Sequence, residues 1–174
     1  MTARIRTTRL ELVSKSKADV QAMIDSMSPY EKAQMSAGWL ARFAASKTDD
    51  PWIYGFTAVR LDDHVTVGTG GFATPPTNGM VEIAYSVDQQ FRSRGYAQEI
   101  ARGLVAFVLA ASDVETIRAH TLPDGAASQQ VLLKCGFERV GEVDHPEDGL
   151  VWRFERYRHT SGGVPGDVTI VSLT

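Results

Sequence analysis

The sequence predicts an α/β domain in which helices flank a mixed central sheet. Two observations lead to this fold class. Hairpin patterns such as residues 52–73 stand beside strand–helix–strand units such as residues 80–121. In addition, a length of 174 residues with 43% hydrophobic and 22% charged content suits one globular domain. We expect a single domain over residues 1–159 and a Gly-rich tail over residues 160–174, which can add an edge strand.

The N-terminal part of the chain predicts one strand and two helices. Apolar and polar residues alternate up to Val13, which indicates a strand. Residues 16–27 then carry apolar side chains at helical spacing. A longer second helix is expected from Pro29, because Ser28 can cap it and Glu31 completes a capping box. Its apolar stripe consists of Met35, Trp39, Leu40 and Phe43.

The rest of the chain predicts a hairpin and then alternating strands and helices. Residues 52–61 and 64–73 are rich in β-formers and are separated by Asp62 and Asp63, which indicates a turn. The GTGG run at residues 68–71 has no helix behind it. It therefore predicts a bulge or close packing in its strand and no phosphate loop. Further strands are expected over residues 80–87, 115–121, 138–143 and 150–157, with helices from Gly95 and near Gly125.

Composition and charge exclude several function classes. A formal net charge of -3 argues against bulk nucleic acid as a partner, because that binding needs a continuous basic face. The single cysteine, Cys135, cannot form an internal disulfide, and no Cys/His cluster has zinc spacing, so no metal is expected. No apolar run approaches the roughly 20 residues of a membrane span, and the N-terminus lacks a signal-peptide pattern. We therefore expect a cytoplasmic protein with no membrane partner.

Residues 87–97 combine three features of an anion-binding site. The segment joins the end of a strand to the start of a helix, where open α/β sheets place ligands. The first amides of that helix lack internal partners and carry the positive end of its dipole. Gly95 allows close approach of a ligand, and Arg92 and Arg94 add two permanent charges. The segment predicts a cradle for a phosphate-bearing ligand, although an ordinary solvated turn can contain the same residue types.

Three stretches of the sequence resemble the GCN5-related N-acetyltransferases. Residues 92–97, RSRGYA, match that family's cofactor signature Arg/Gln-x-x-Gly-x-Gly/Ala. Residues 134–137, KCGF, resemble its later Lys-x-Gly-Phe segment, and residues 7–12, TTRLEL, are similar to the opening of its ribosomal-protein N-terminal acetyltransferase branch. The matches span residues 7 to 158. The resemblance implies a mostly antiparallel sheet with a splayed strand pair that binds acetyl-CoA.

The resemblance also implies how acetyl-CoA is held. The cofactor would lie between the strand ending at Val87 and the strand starting near Glu115. The exposed backbone of Tyr85, Ser86 and Val87 would pair with the pantetheine, since a splayed strand leaves polar groups without partners. The Val87 amide would also donate to the thioester oxygen as it becomes an oxyanion. The pyrophosphate would be held by Arg92, Ser93, Arg94, Gly95, Tyr96 and Ala97.

For the chemistry, Glu82 and Ser128 are the candidate catalytic residues. Glu82 lies in an apolar strand near the expected thioester, where the related branch often has glutamate, and a partly desolvated carboxylate is a stronger base. Many relatives have a tyrosine that acts as general acid in the later helix, but alignment on residues 134–137 puts Leu132 at that position. Ser128 is the nearest hydroxyl and would hydrogen-bond the cofactor sulfur. Gly125 stands where relatives often have a cofactor-contacting Asn.

Cys135 and His120 have stronger structural than catalytic interpretations. Cys135 has no histidine near it in sequence, so a buried structural thiol is favoured over an acetyl-cysteine intermediate. His120 lies in a strand, where a satisfied core or edge histidine is more common than a catalyst.

An aromatic series marks candidate acceptor-pocket residues. In a strand starting at residue 52, the side chains of Trp52, Tyr54 and Phe56 share one face. Such a stripe usually belongs to the core, but these residues, like Trp39 on the second helix, can also line the acceptor pocket.

The function expected from the resemblance is direct, sequential transfer of an acetyl group from acetyl-CoA to a primary amine. The acceptor is left open between a peptide N-terminus and a small molecule. The alternative is a catalytically weak acyl-CoA-binding sensor or interaction module, because Leu132 and Gly125 depart from the family pattern. A homodimer is also left open, since the tail can pair across two chains.

Overall fold

A computed structural model describes residues 2–46, 49–159 and 166–173 of the chain. Within these residues nine strands form one sheet in the order β7-β8-β6-β5-β4-β3-β2-β1-β9. The strands are β1 Ala3–Arg6, β2 Leu10–Ser14, β3 Phe56–Arg60, β4 Thr66–Phe72, β5 Met80–Val87, β6 Thr116–Thr121, β7 Glu138–His145, β8 Gly149–Tyr157 and β9 Thr169–Leu173. The helices are α1 Lys17–Ser26, α2 Pro29–Ala33, α3 Ala37–Ala45, α4 Pro51–Tyr54, α5 Tyr96–Ala111 and α6 Ala126–Lys134.

The sheet is mixed, and its one parallel pair within the described residues is β5 with β6. That pairing covers only Met80–Glu82 against Thr116–Arg118, after which the two strands part. All other neighbouring strands are antiparallel along the described chain. The predicted fold, a mostly antiparallel mixed sheet with a splayed strand pair, is confirmed.

Helix α5 packs most closely on the sheet and needs glycine to do so. A Cβ added at Gly70 of β4 would lie 2.8 Å from Ile100 Cγ2, and one at Gly103 would collide with Leu12. A Cβ at Gly68 would collide with the Ser86 carbonyl of β5. The close packing predicted from the GTGG run is therefore confirmed, and it lets α5 contribute much of the buried core.

Two N-terminal predictions are wrong in detail. The single predicted strand is a hairpin, β1–β2, because the Thr7 amide donates to the Leu10 carbonyl at 2.8 Å and turns the chain. The single predicted second helix is divided into α2 and α3, because Ser36 adopts extended backbone and caps a new helix at the Trp39 amide. The capping box of Ser28 and Glu31 is present as predicted.

The aromatic strand predicted from residue 52 is also wrong. Asp50 accepts from the Trp52 amide and Pro51 occupies the first turn, so α4 forms there and β3 begins only at Phe56. Trp52 packs against Phe72 in the main core, with ring centroids 4.7 Å apart, and Phe56 is fully buried there. Tyr54 belongs instead to a smaller cluster with Val20 and Phe43. The three side chains therefore do not share one face.

The tail supplies the edge strand β9, which pairs antiparallel with β1 of the same chain. Its Gly-rich start, residues 160–165, lies outside the described residues. In the part of the chain that is described, no helix is long and apolar enough to cross a membrane. The same residues hold no cluster of three or more His, Cys, Asp or Glu that is suited to a metal ion.

Candidate active site

The split between β5 and β6 exposes one backbone edge of β5. The Glu82 carbonyl accepts from the Ala73 amide on the β4 side at 3.0 Å. Because backbone groups alternate sides along a strand, the amides and carbonyls of Tyr85 and Val87 face the split. The Val87 carbonyl there accepts from Arg92 Nε at 3.1 Å. The Ser86 carbonyl lies against Gly68 of β4, so Ser86 reaches the site only through its side chain, and the predicted backbone contact of this residue is wrong.

The loop from residue 92 to 97 has the backbone of an anion cradle. Ser93 and Gly95 have φ of 62° and 84°, which lie in the left-handed region. Glycine adopts this conformation without steric cost because it has no Cβ. The Glu99 amide donates to the Gly95 carbonyl, so the amides of Tyr96 and Ala97 precede the first helical bond of α5. These amides and the helix dipole favour an anion at this end of α5.

An ion pair between the buried Glu99 and the half-exposed Arg9 holds the cradle against the N-terminal hairpin. Glu99 is buried and accepts from the Thr7 hydroxyl and the Arg9 amide, each at 2.8 Å, and from Arg9 Nε at 2.6 Å. Arg9 in turn donates to the Arg94 carbonyl at 2.8 Å and lies over the Tyr96 ring. The Thr-x-Arg-Leu stretch therefore supports the loop at residues 92–97, a role that its sequence did not indicate.

A cavity of about 540 Å³, here called the junction cavity, lies between the split, the cradle and α6. Its lining includes the side of α6 that carries Ala127 and Val131, and it brings together almost every residue predicted to bind the cofactor. Arg94 is the exception, because its guanidinium lies over the Phe91 ring and is not part of the lining. The predicted residues in the lining are Tyr85, Ser86, Val87, Arg92, Ser93, Gly95, Tyr96, Ala97 and Ser128.

Two hydroxyl groups meet inside the junction cavity. Ser128 Oγ lies 3.3 Å from the Tyr85 hydroxyl. Burial raises the pKa of Tyr85 to about 12, the hydrogen bond with Ser128 opposing that rise, so the phenol stays protonated at neutral pH. Sequence reasoning assigned only backbone contacts to Tyr85. The sequence could have indicated that the Tyr85 side chain points inward, because Tyr85 shares one face of β5 with the apolar Ile83 and Val87.

Glu82 lies at the point where the strands part, and it is bonded across the split. Its Oε1 lies 2.7 Å from Nδ1 of His120 on β6. Arg153 Nε on β8 donates to His120 Nε2 at 3.1 Å. An imidazole nitrogen that accepts carries no proton, so the proton of neutral His120 is on Nδ1 and is donated to Glu82. His120 is thus a satisfied strand histidine, as predicted, and one that fixes the orientation of Glu82.

A second cavity of about 320 Å³, here called the sheet-face cavity, opens beside the junction cavity. Tyr85 and Ser86 line both cavities. Of the four aromatic residues predicted as acceptor-pocket candidates, Trp39 and Tyr54 line the sheet-face cavity. Trp52 and Phe56 are absent from its lining among the described residues, because both pack in the main core.

The remaining sequence candidates have structural roles. Cys135 is buried, and burial raises the pKa of its thiol to about 11, which leaves it protonated and unreactive at neutral pH. Leu132 is fully buried in the core, so it offers the site nothing in place of a tyrosine. A Cβ at Gly125 would lie 3.1 Å from the Leu122 carbonyl, which is a close approach.

Comparison with known proteins agrees with this architecture. A family model described as an acetyltransferase (GNAT) domain matches residues 7–138. The uncharacterized N-acetyltransferase YjdG of Bacillus subtilis is 34% identical over 99 residues, which are 56% of this chain and 56% of that protein. The chain thus matches less than two thirds of the length of the curated relatives, at 56% and 58%.

Solved structures show the likeness in fold. The ribosomal-protein-S5-alanine acetyltransferase of Vibrio fischeri superposes with a TM-score of 0.66 at 14% identity, covering 90% of this chain and 97% of that one. A putative GNAT-family acetyltransferase of Bordetella pertussis gives a TM-score of 0.65 at 19% identity, covering 88% and 98%. Because the family model covers well over half of the sequence, the chain belongs to the GNAT acetyltransferase family.

Proposed function

We propose that this protein is an N-acetyltransferase that moves an acetyl group from acetyl-CoA to a primary amine by direct, sequential transfer. The observation that carries the proposal is the junction cavity, which joins an unpaired strand edge to an anion cradle. A strand edge binds an extended polar chain and a cradle binds a phosphate, which together fit coenzyme A. Family membership supports the same chemistry.

The residues present fit the cofactor at both ends. The amides of Tyr96 and Ala97, with the charge of Arg92, would hold the pyrophosphate. The backbone of Tyr85 and Val87 would pair with the amide groups of the pantetheine. Ser86 and Ser128 would contribute hydroxyl groups to the same wall.

When bound, acetyl-CoA supplies an acetyl group already activated as a thioester. The Val87 amide would donate a hydrogen bond to the oxygen on which negative charge develops. Glu82 would take the proton of the amine, directly or through water, with Oε2, since His120 already donates to Oε1. A C–N bond forms and the C–S bond breaks, and the sulfur leaves as a thiolate. The Tyr85 and Ser128 hydroxyls would stabilise that thiolate by hydrogen bonds, and water would return a proton to the sulfur.

Thermal stability with acetyl-CoA, coenzyme A, ATP and NAD tests the cofactor. A ligand at a hundred times its Kd adds about 2.7 kcal/mol of stability, a shift of several degrees for a chain of this size. We expect that shift with the two coenzyme A ligands alone. No shift with either would contradict the proposal.

Turnover of an amine panel by the native chain and by Glu82→Gln tests the chemistry. We expect Glu82→Gln to lower kcat by about 10² to 10⁴-fold while coenzyme A still stabilises the fold. Unchanged turnover with an unchanged pH profile would remove Glu82 from the mechanism. Coenzyme A binding without turnover of any amine would instead favour the acyl-CoA-binding sensor, which Leu132 in the place of tyrosine keeps in view.

A further inference from the structure

The sheet-face cavity is placed to receive the acceptor. Tyr85 and Ser86 line it on one side and line the junction cavity on the other. An amine in the sheet-face cavity therefore lies next to the wall where the thioester is expected. Its volume of about 320 Å³ is at the lower end of the range for small-molecule pockets. The size favours a small acceptor over a long peptide.

The aromatic side chains that line the cavity are held rigidly. Trp39 donates its indole N–H to the Ile53 carbonyl at 3.1 Å and stacks on Phe43, which fixes the ring. The Tyr54 hydroxyl is bonded to Ser46 Oγ at 2.9 Å, so this residue offers the cavity the apolar part of its ring. Fixed aromatic surfaces of this kind bind apolar or aromatic groups with little loss of conformational entropy.

The one charge among the described lining residues is Lys15, directly after β2. No Asp or Glu belongs to that lining, and within the described residues the Lys15 ammonium has no hydrogen bond or ion pair. Partial burial lowers the pKa of Lys15, because desolvation penalises its charge, and an anionic partner would reverse that effect. A pocket with one cation and no anion repels a polyamine and attracts a carboxylate.

We propose that the acceptor is a small amine that also carries a carboxylate and an apolar or aromatic side chain, as an aromatic amino acid does, with Lys15 as the carboxylate-binding residue. This inference rests on the proposed acetyltransferase function. The positive charge of Lys15 has a second effect, because it favours the neutral form of a neighbouring amine, which is the form that attacks the thioester.

The first test compares acceptors that differ only in the carboxylate. Acetylation of L-phenylalanine, L-tryptophan and L-methionine is measured beside that of their primary amides, spermidine and a tripeptide with a free N-terminus. We expect kcat/KM for the acids to exceed that for the amides by about tenfold or more, with spermidine the poorest substrate. Equal use of acids and amides, preference for the tripeptide, or no acetylation of any acid would overturn the proposal.

The second test changes the lysine. Lys15→Met should raise KM for the acids by about tenfold to a hundredfold, leave KM for the amides within about twofold, and leave stabilisation by coenzyme A unchanged. Lys15→Arg should restore most of the affinity, since it keeps the charge, and this separates charge from a role as a base. Lys32→Met, on the exposed part of α2, is the matched control. An unchanged KM in Lys15→Met refutes the inference even where coenzyme A binding upholds the proposed function.

Discussion

Replacing Glu99 by glutamine tests the link between the N-terminal hairpin and the cradle. The change keeps the shape of the side chain but removes the charge that accepts from Arg9 and turns an N–H group toward the guanidinium. A hydrogen bond to a charged group contributes roughly 1.5–3 kcal/mol, and the contribution is smaller here because the Arg9 side chain is 47% exposed and can be resolvated. Two weakened bonds then cost about 2 kcal/mol in the free energy of unfolding.

The expected shift in Tm follows from the size of the chain. Unfolding entropy of about 2.1 cal/mol/K per residue over 174 residues makes 2 kcal/mol equal to about 5 °C. Calorimetry measures this loss, and coenzyme A titration should show weaker binding, since Arg9 also holds the Arg94 carbonyl. Glu142→Gln, in the exposed pair with Arg139, should shift Tm by no more than about 1 °C. If Glu99→Gln shifts Tm no more than this control, the ion pair of Glu99 with Arg9 contributes nothing measurable to the free energy of unfolding.

Three further outcomes are expected. Gly95→Val should abolish stabilisation by coenzyme A and lower Tm by a few degrees, because φ is +84° there and an added Cβ would lie 3.1 Å from Arg9 Nη2, which donates to the Arg94 carbonyl of the same loop; unchanged affinity, measured by calorimetry, would exclude the loop from the proposed site. His120→Gln should lower kcat and alter its pH profile without weakening coenzyme A binding, whereas a purely structural His120 would change Tm alone. Burial raises the pKa of Cys135 from 9.0 to about 11, so the stability that its neutral thiol contributes is present below about pH 9 and lost as the pH rises toward 11. Cys135→Ala should therefore flatten the alkaline decline in Tm, and rapid alkylation of the folded native protein at pH 8 would contradict this.

The parts of the fold that were predicted correctly depend on local signals. Ser28 and Glu31 form their capping box, α5 begins directly after Gly95, and the hairpin between β3 and β4 turns at Asp62–Asp63. The errors arose where two short elements abut. At residue 52 the aromatic residues favour a strand, yet Asp50 and Pro51 start one turn of helix there. In this helical turn Trp52 packs in the main core and Tyr54 packs in the smaller cluster, so both rings are still buried.

The candidate site likewise has features that follow from contiguous residues and features that follow only from the fold. The turn at residues 92–97 and the helix after it were predictable, because the charges, the glycine and the start of the helix are contiguous in the chain. The partners of Glu82, Glu99 and Tyr85 were not, since each lies 38 or more residues away in the chain. Lys15 was not predicted as a site residue for the same reason, because only the folded chain brings it beside Tyr54 and Ser86.

The sequence by itself determined the fold class, the start of α5 after Gly95 and the family resemblance, because periodicity, capping and backbone conformation are properties of neighbouring residues. The tertiary structure alone decided which edge of β5 is exposed, which ring nitrogen of His120 carries the proton, and that two cavities meet at Tyr85 and Ser86. Those features depend on where the parallel pairing of β5 and β6 ends. That point is set by the packing of residues distant in the chain, which no local pattern records.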